Sequence, residues 1–514
     1  VTKVLYIGDN TIKTYDRVKD LADLNSVEMQ GLIEDMSVEF ESPGYYFTST
    51  IDCIPKTIID NVHKFDEVRL LDISSEEWSH SKIFLDSYVL IKELERQSNR
   101  IGIRVKYYEN AESLDYWTNL FKTNKSFCLY PWIQINLERG EETQLYPCSR
   151  ANRGSIITDL KDLTDWKTDK KFTEFRERIK SGKRLDTVCQ TCYRYEDRGL
   201  TSYRVHDSLD WIAALNLKSI EDLDSIENPY FYDLRLSNKC NLMCRMCTPI
   251  HSHLLYNEFK EHPELNGPGQ GIREKYSYTS TDVVKIETLT DKHMVYLTGG
   301  EPTIMKEVYE FMRKCIDQGK LDFQFSMTTN AQNLNKTFID LADKFERLHF
   351  SVSIDGYGKV NDYIRWRSNF EKLIENCHML REHGHVISWN HVPTIWGIHR
   401  THELFEYLGE HFPDVHLYLQ YNRVELHSAF NSPLAAQVIE SMKRCQQTAT
   451  YWNNGKDCKS GIDSFLEHYQ SYTIDTNHLK RFFAWNDLMD SARNIKLIDY
   501  IPDLDQCREI LQYD

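Results

Sequence analysis

Cys240-Asn241-Leu242-Met243-Cys244-Arg245-Met246-Cys247 directly follows a short apolar run, Tyr232–Leu236, that reads as a buried strand. The spacing is CxxxCxxC. Three thiolates on one short loop can hold three irons of a cubane [4Fe–4S] cluster, whereas full cysteine ligation needs four. The remaining iron is then open to a substrate or cofactor, as catalytic metal sites keep an open position. A zinc site or chance clustering is the alternative. Zinc commonly takes four ligands in CxxC pairs, and no histidine stands within this loop.

Working outward, apolar runs alternate with helical patterns. Strands are expected at Tyr232–Leu236, His293–Leu297, Phe323–Thr328, Leu348–Ile354, Val386–Val392 and Val415–Tyr421. Helices are expected near 251–260, 304–318, 333–346, 369–384 and 401–411. Strands followed by helices imply a parallel sheet, open or curled into a partial barrel, with chemistry at the C-terminal strand ends. Residues 262–290 form an insertion whose breaker is Asn266-Gly267-Pro268-Gly269-Gln270-Gly271. Three short motifs stand at successive strand ends. Gly299-Gly300-Glu301-Pro302 follows the second strand, its glycines admitting close backbone approach and Glu301 able to accept from an ammonium. Thr329-Asn330-Ala331 follows the third strand, and Ser353-Ile354-Asp355-Gly356 ends the fourth. Each alone reads as a turn; their order is what carries weight.

On these residues, segment 232–425 resembles the core of the radical S-adenosylmethionine (SAM) enzymes, partial (β/α)6 TIM-type barrels with a CxxxCxxC loop after the first strand. The resemblance implies that Cys240, Cys244 and Cys247 ligate a [4Fe–4S] cluster whose open iron is chelated by the methionine end of SAM. Gly299, Gly300, Glu301 and Pro302 match the motif that holds the methionine amine. Asn330 and Ser353 match positions near the SAM carboxylate and ribose. Asp355 is expected to shape the strand-end turn. Arg365 is a candidate for the SAM carboxylate, with a surface arginine as the competing reading. Met246 departs from the aromatic residue usual before the last cluster cysteine, but it is apolar and adaptable. The activity implied is reductive cleavage of SAM, hydrogen abstraction from a substrate, and an oxidation or other radical-mediated modification. An electron donor such as a flavodoxin or ferredoxin is implied as well.

A second cysteine group precedes the barrel. Cys128-Leu129-Tyr130-Pro131-Trp132 leads through Ile133, Ile135 and Leu137 to Gly140 and ends at Pro147-Cys148. Alternation on both sides of Gly140 reads as a β-hairpin. Trp166, Phe172, Phe175 and Ile179 mark a helix with Gly182 as its stop, and Cys189-Gln190-Thr191-Cys192 follows. Four thiolates here can ligate one more [4Fe–4S] cluster; a structural zinc held by the same four cysteines is the alternative. The segment resembles the twitch domain, the shorter relative of the SPASM domain, which carries auxiliary clusters in one radical SAM branch. It departs in two ways: Gly140 to Cys148 is longer than the usual spacing, and the segment precedes the barrel. Cys53, Cys315, Cys377, Cys445, Cys458 and Cys507 are scattered and read as buried thiols.

The fold class expected is α/β: the partial barrel at 232–425, an N-terminal open-sheet α/β domain at 1–120, the cysteine-rich auxiliary domain at 121–205, a connection at 206–231 and a helical region at 426–514. In the first domain Val4–Ile7, Val68–Ile73 and Ile101 to Tyr107 read as strands, and 12–24 and 84–94 as helices. Gly8-Asp9-Asn10 lacks the glycines of a phosphate loop. The chain has 514 residues, 41% hydrophobic and 27% charged, with 13 cysteines of which seven lie in the two groups. That composition excludes wholesale disorder and a small disulfide scaffold. No apolar run approaches the ~18–20 residues that span a bilayer, and the start reads as a strand rather than a signal peptide, so a cytoplasmic protein is expected. The net charge of −16 disfavours nucleic acid, and with it RNA modification. The expected substrate is a peptide or protein, with a small sugar or nucleotide as the alternative.

Overall fold

In this computed structural model the chain divides into two units, Val1–Asp233 and Leu234–Asp514. Up to residue 108 the structure describes five strands only. Beyond them it describes 111–139, 143–151, 158–159, 166–197, 202–265, 283–419, 427–451, most of 462–469 and 475–511. The expected helices at 12–24 and 84–94, the breaker at 266–271, Asp9, Asn10, Gly140, Cys53 and Cys458 lie outside the described residues.

The first unit carries a parallel sheet of β1 (Lys3–Gly8), β2 (Met29–Leu32), β3 (Gly44–Ser49), β4 (Glu67–Leu71) and β5 (Arg104–Tyr108), in the order β2-β3-β1-β4-β5. β2 and β3 were not expected from the sequence. β2 has four residues, with Gly31 in a register shift against β3, and β3 opens on Gly44. The hairpin strands β6 (Gln134–Arg139) and β7 (Thr143–Tyr146) pair antiparallel, with β8 (Thr158–Asp159) beside β7. The Lys170–Lys180 helix is capped by the Asp169 carboxylate, which accepts from the Lys171 and Phe172 amides. It buries Phe172, Phe175 and Ile179, and Gly182 follows it with φ +77°.

The second unit holds the parallel strands β10 (Met294–Thr298), β11 (Gln324–Thr329), β12 (Leu348–Ser353), β13 (Val386–His391) and β14 (His416–Leu419). β9 (Phe231–Arg235) leads into them, in the order β14-β13-β12-β11-β10-β9. Each strand starts within two residues of the expected bound, and the expected end of the last one, at 420–421, lies outside the described residues. Their alternation gives the sheet two unlike faces. Val295, Leu297, Phe325, Met327, Phe350, Val352, Trp389 and Leu417 are buried. They lie under helices such as Lys306–Asp317, which presents Val308, Phe311, Met312 and Cys315 at the i, i+3, i+4, i+7 spacing. Phe311 meets Phe325 at 5.8 Å and Trp389 meets Phe412 at 5.1 Å. The opposite sheet face is polar. Thr328, Ser351, Ser388 and His416 are register partners across β11 to β14. Tyr296 bonds to Thr328 (2.5 Å) and His349 to Ser388 (2.9 Å) on that face. The sheet ends are followed by helices with side-chain caps: Ser252, Asn335 and Asn369 accept from amides of the His253–Glu261, Lys336–Ala342 and Phe370–Glu382 helices. The C-terminal part is helical, with Ala435–Tyr451, Thr476–Arg493 and Pro502–Gln506. Among the described residues no helix is long and apolar enough to cross a membrane.

Candidate active site and metal centres

The loop 240–247 leaves the end of β9 and is fastened from several sides. Gly300 N–H donates to Ser237 O (2.8 Å) and Glu301 N–H to Lys239 O (2.7 Å). Asn330 Nδ2 donates to Asn241 Oδ1 (2.8 Å), and Ser252 Oγ to Leu242 O (2.9 Å). Met243 N–H donates to Trp366 O (2.9 Å) and Arg245 N–H to Ile364 O (2.8 Å). Both glycines before Glu301 are dictated by this crowding. A Cβ on Gly300 would lie 2.2 Å from Lys239 O, and Gly299 adopts φ +118° with its would-be Cβ 2.9 Å from Ser237 O. On the side where a Cβ would stand, the chain's own entrance to the cysteine loop approaches these glycines.

Cys240, Cys244 and Cys247 act on one another in all three pairings. Burial pushes each thiol up, Cys247 to about 12, and repulsion from the neighbouring cysteines adds to this at Cys240 and Cys247. Glu301 is buried at the end of β10. Its Oε1 accepts from Thr303 N–H (3.2 Å), Thr303 Oγ1 (2.7 Å) and Thr329 Oγ1 (2.6 Å), while Oε2 accepts only Asn330 N–H (2.7 Å). Burial raises its carboxyl despite those donors. Pro302 opens the short turn after it. Asn330 is buried and engaged on both amide atoms, its Oδ1 accepting from Gln332 N–H (3.0 Å). Ser353 is buried at the end of β12. Asp355 accepts Val392 N–H (3.0 Å) on Oδ1 and binds Arg365 Nη1 (2.5 Å) on Oδ2. Arg365 is therefore no surface arginine: its side chain is 12% exposed and its Nε has no partner. Burial opposes its charge, and the neighbouring Cys244 and Asp355 more than offset that, so its pKa rises.

In the first unit Cys128 precedes the Tyr130–Ile133 turn, Cys148 follows β7, and Cys189 and Cys192 stand at the start of the Gln190–Glu196 helix. Each of the six pairings among these four thiols carries an electrostatic interaction. Burial and that repulsion push Cys148 and Cys189 up to about 12 and raise Cys128, and burial raises Cys192. Arg204 is buried beside them, bonding Glu196 through Nε (2.9 Å) and Nη2 (3.0 Å) and Phe127 O through Nη1 (2.6 Å). Its charge acts favourably on Cys128, Cys189 and Cys192. Among the described residues no three His, Cys, Asp or Glu side chains converge as the ligands of a single ion would.

Residues 234–408 match the sequence profile of the radical SAM superfamily. The parallel barrel is a radical SAM domain. Members of that superfamily are enzymes that use SAM and a [4Fe–4S] cluster. An uncharacterized protein of Methanothermobacter thermautotrophicus is 28% identical over 182 residues, 34% of this chain and 62% of that one. Among solved structures, anSMEcpe with bound AdoMet shares 15% identity at a TM-score of 0.31, over 42% of this chain and 58% of that one. Streptococcus suis SuiB bound to the precursor peptide SuiA shares 14% identity at a TM-score of 0.25, over 65% of this chain and 64% of that one. The chain thus spans less than two thirds of the length of each.

The residues of the radical SAM domain suit the group its superfamily uses. Burial outweighs the charge of Arg365 and raises all three soft thiols, and a bound metal would favour their thiolate form. Arg365 supplies a buried, unused donor close to Cys244. Oε2 of Glu301 keeps acceptor capacity for an ammonium.

Sequence reasoning missed a buried network behind the loop. Arg245, between two of the cysteines, bonds Tyr363 O (3.0 Å), Asn486 Oδ1 (3.3 Å) and the Asp490 carboxylate. It missed Arg493 paired with Glu258 (2.8 and 2.7 Å) as well. Two signals were present: an arginine inside the cysteine loop, and Asn486, Asp490 and Arg493 spaced i, i+4, i+7 in an aromatic helix.

Proposed function

We propose that Cys240, Cys244 and Cys247 hold a [4Fe–4S] cluster, that SAM binds over it, and that the enzyme modifies a peptide or protein. One observation carries the reading. The cysteine loop, the Gly299–Pro302 turn and Asn330 are tied to one another by hydrogen bonds at successive strand ends of the matched domain. A bound cluster and SAM would supply reductive cleavage to a 5′-deoxyadenosyl radical and hydrogen-atom abstraction from the substrate.

The protein's own part is binding and orientation. Glu301 Oε2 accepts from the methionine ammonium, a charge-assisted bond. Asn330 and Ser353 line the SAM carboxylate and ribose side, and Arg365 lends positive charge there. The polar sheet face, with hydroxyls of Thr328, Ser351 and Ser388 in register, favours a substrate rich in hydrogen-bonding groups. A peptide backbone is such a substrate.

Cys128, Cys148, Cys189 and Cys192 hold an auxiliary [4Fe–4S] cluster in this proposal. A cubane puts each ligand on a different iron, so its sulfurs stand farther apart than those around one zinc. Electrostatic interaction in all six pairings supports a site that the four thiols share.

Anaerobic incubation with SAM and dithionite should release 5′-deoxyadenosine, and a candidate peptide should raise the yield and gain a mass change. No 5′-deoxyadenosine from cluster-loaded protein would refute the enzyme reading. Turnover of a sugar or nucleotide, with peptides inert, would move the substrate to a small molecule. Metal analysis of the Cys240/Cys244/Cys247→Ala variant tests the second site: about four irons support the auxiliary cluster, and about one zinc without iron overturns it.

A further inference from the structure

The Thr476–Arg493 helix lies beyond residues 234–408, the segment that matches the superfamily profile. We propose that this helix is a working part of the cluster site, with Asn486 and Asp490 as positioning residues that hold Arg245 and, through it, the flanking Cys244 and Cys247. The inference rests on the assignment of those cysteines as cluster ligands.

One face of the helix meets the loop. Arg245 is fully buried and stacks on the Tyr363 ring, its Cζ 3.7 Å from the ring centroid. Its three nitrogens are all used, on Tyr363 O, Asn486 and Asp490. The two helix residues are themselves fixed. Tyr363 Oη donates to Asp490 (2.9 Å), and Trp396 Nε1 donates to Asn486 Oδ1 (2.9 Å). Between them Met489 packs in one apolar cluster with Met243, against Cys247. One turn on, Arg493 grips Glu258 in the helix that follows the loop, and the cap of that helix, Ser252, holds Leu242 O. Residues 486, 489, 490 and 493 thus bear on the loop or on the helix it leads into.

Stability alone does not account for this arrangement. An arginine buried with its carboxylate can be replaced by apolar residues of like volume at little cost to the fold. What the ion pair adds is direction: three hydrogen bonds and a stacked ring fix the guanidinium in one place. Since Arg245 is adjacent to Cys244 and two residues from Cys247, fixing it fixes both thiols before any metal arrives. Partners behind metal ligands typically change metal affinity about 10- to 100-fold when removed.

The test compares full-length wild type with Asp490→Asn and Arg245→Met/Asp490→Leu, each cluster-loaded under anaerobic conditions. The core cluster is identified by the change that SAM causes in the electron paramagnetic resonance (EPR) spectrum of the reduced protein. Loss of that signal to a ferrous chelator is then timed, and thermal unfolding is recorded alongside. The double variant should unfold near the wild-type temperature yet lose the signal at least about tenfold faster. Asp490→Asn, which keeps the shape of the side chain, should also lose it faster, and it decides alone if the double variant does not fold. Wild-type loss rates in a folded variant, with an unaltered spectrum, would overturn this inference and leave the site assignment standing. A wild type whose spectrum ignores SAM would overturn the site assignment and the inference with it.

Discussion

Cys244 and Arg365 face each other across two backbone hydrogen bonds, Met243 N–H to Trp366 O (2.9 Å) and Arg245 N–H to Ile364 O (2.8 Å). Reduction adds a negative charge to any cluster that Cys244 ligates, and a buried guanidinium there favours the reduced state. Arg365→Gln should therefore shift the core cluster to a more negative midpoint, roughly tenfold in the reduced-to-oxidised ratio, or about 59 mV for one electron. Asp355→Asn removes the opposing charge and should shift it the other way. EPR-monitored redox titration checks both signs. Equal midpoints in wild type and both variants would remove Arg365 from the cluster's environment.

Gly300→Ala should be severe for a backbone reason. Its Cβ would lie 2.2 Å from Lys239 O, so the Gly299–Pro302 turn and the cysteine loop must part. Strain of this kind costs about 1–3 kcal/mol, and relief of it opens the site. Both the unfolding temperature and SAM affinity should fall. A crystal structure of the variant with the Glu301 N–H to Lys239 O bond intact would contradict this.

Glu301→Gln leaves the volume unchanged and turns one acceptor oxygen into a donor. If the amide faces Asn330 N–H, two donors meet; if it faces Thr303 and Thr329, three bonds suffer. The ammonium contact is lost as well, worth about 1.5–3 kcal/mol. SAM affinity measured by calorimetry should drop at least about tenfold while iron content stays near wild type. Unchanged affinity would show that Glu301 serves only the turn.

The fold should be acid-sensitive through histidines. Burial lowers His349, His399 and His427 to about 4 from an ordinary 6.5. The unfolded chain then takes up their protons first as pH falls below 6.5. Stability is fully present above that pH and is lost between 6.5 and 4, by up to about 1.4 kcal/mol per pH unit for each group. Among the described residues His399 has no hydrogen-bond partner on either ring nitrogen. His399→Leu should flatten the acid limb of the unfolding temperature against pH and cost little at pH 7. A variant with the wild-type slope would remove His399 from the acid response.

The barrel was legible because its two faces differ. Outward Val295, Leu297, Phe350, Val352 and Trp389 alternate with inward Tyr296, Ser351 and Ser388, and period-2 patterning is what a sequence displays best. β2 and β3 were hidden because each contains a glycine, Gly31 or Gly44, and β2 has only four residues and a register shift against β3. In the site, the cysteine loop, Glu301 and Asn330 stood out through local spacing. Arg365 was a candidate with a surface reading beside it, since nothing near it in sequence shows that Asp355 and Cys244 lie against it. The Arg245–Asp490 pairing was missed for the same reason, its members standing 245 positions apart.

That separation also sets a timetable. At about 5–20 residues per second of synthesis, the cysteine loop is made roughly 12–50 s before Asp490 exists. For that interval the nascent chain carries three thiols on a loop whose rear fastening has yet to be translated. Assembly factors that deliver iron and sulfide therefore meet a finished clasp only after the Thr476–Arg493 helix has emerged. A ribosome stalled before that point would present cysteines in the right order but not yet held in place.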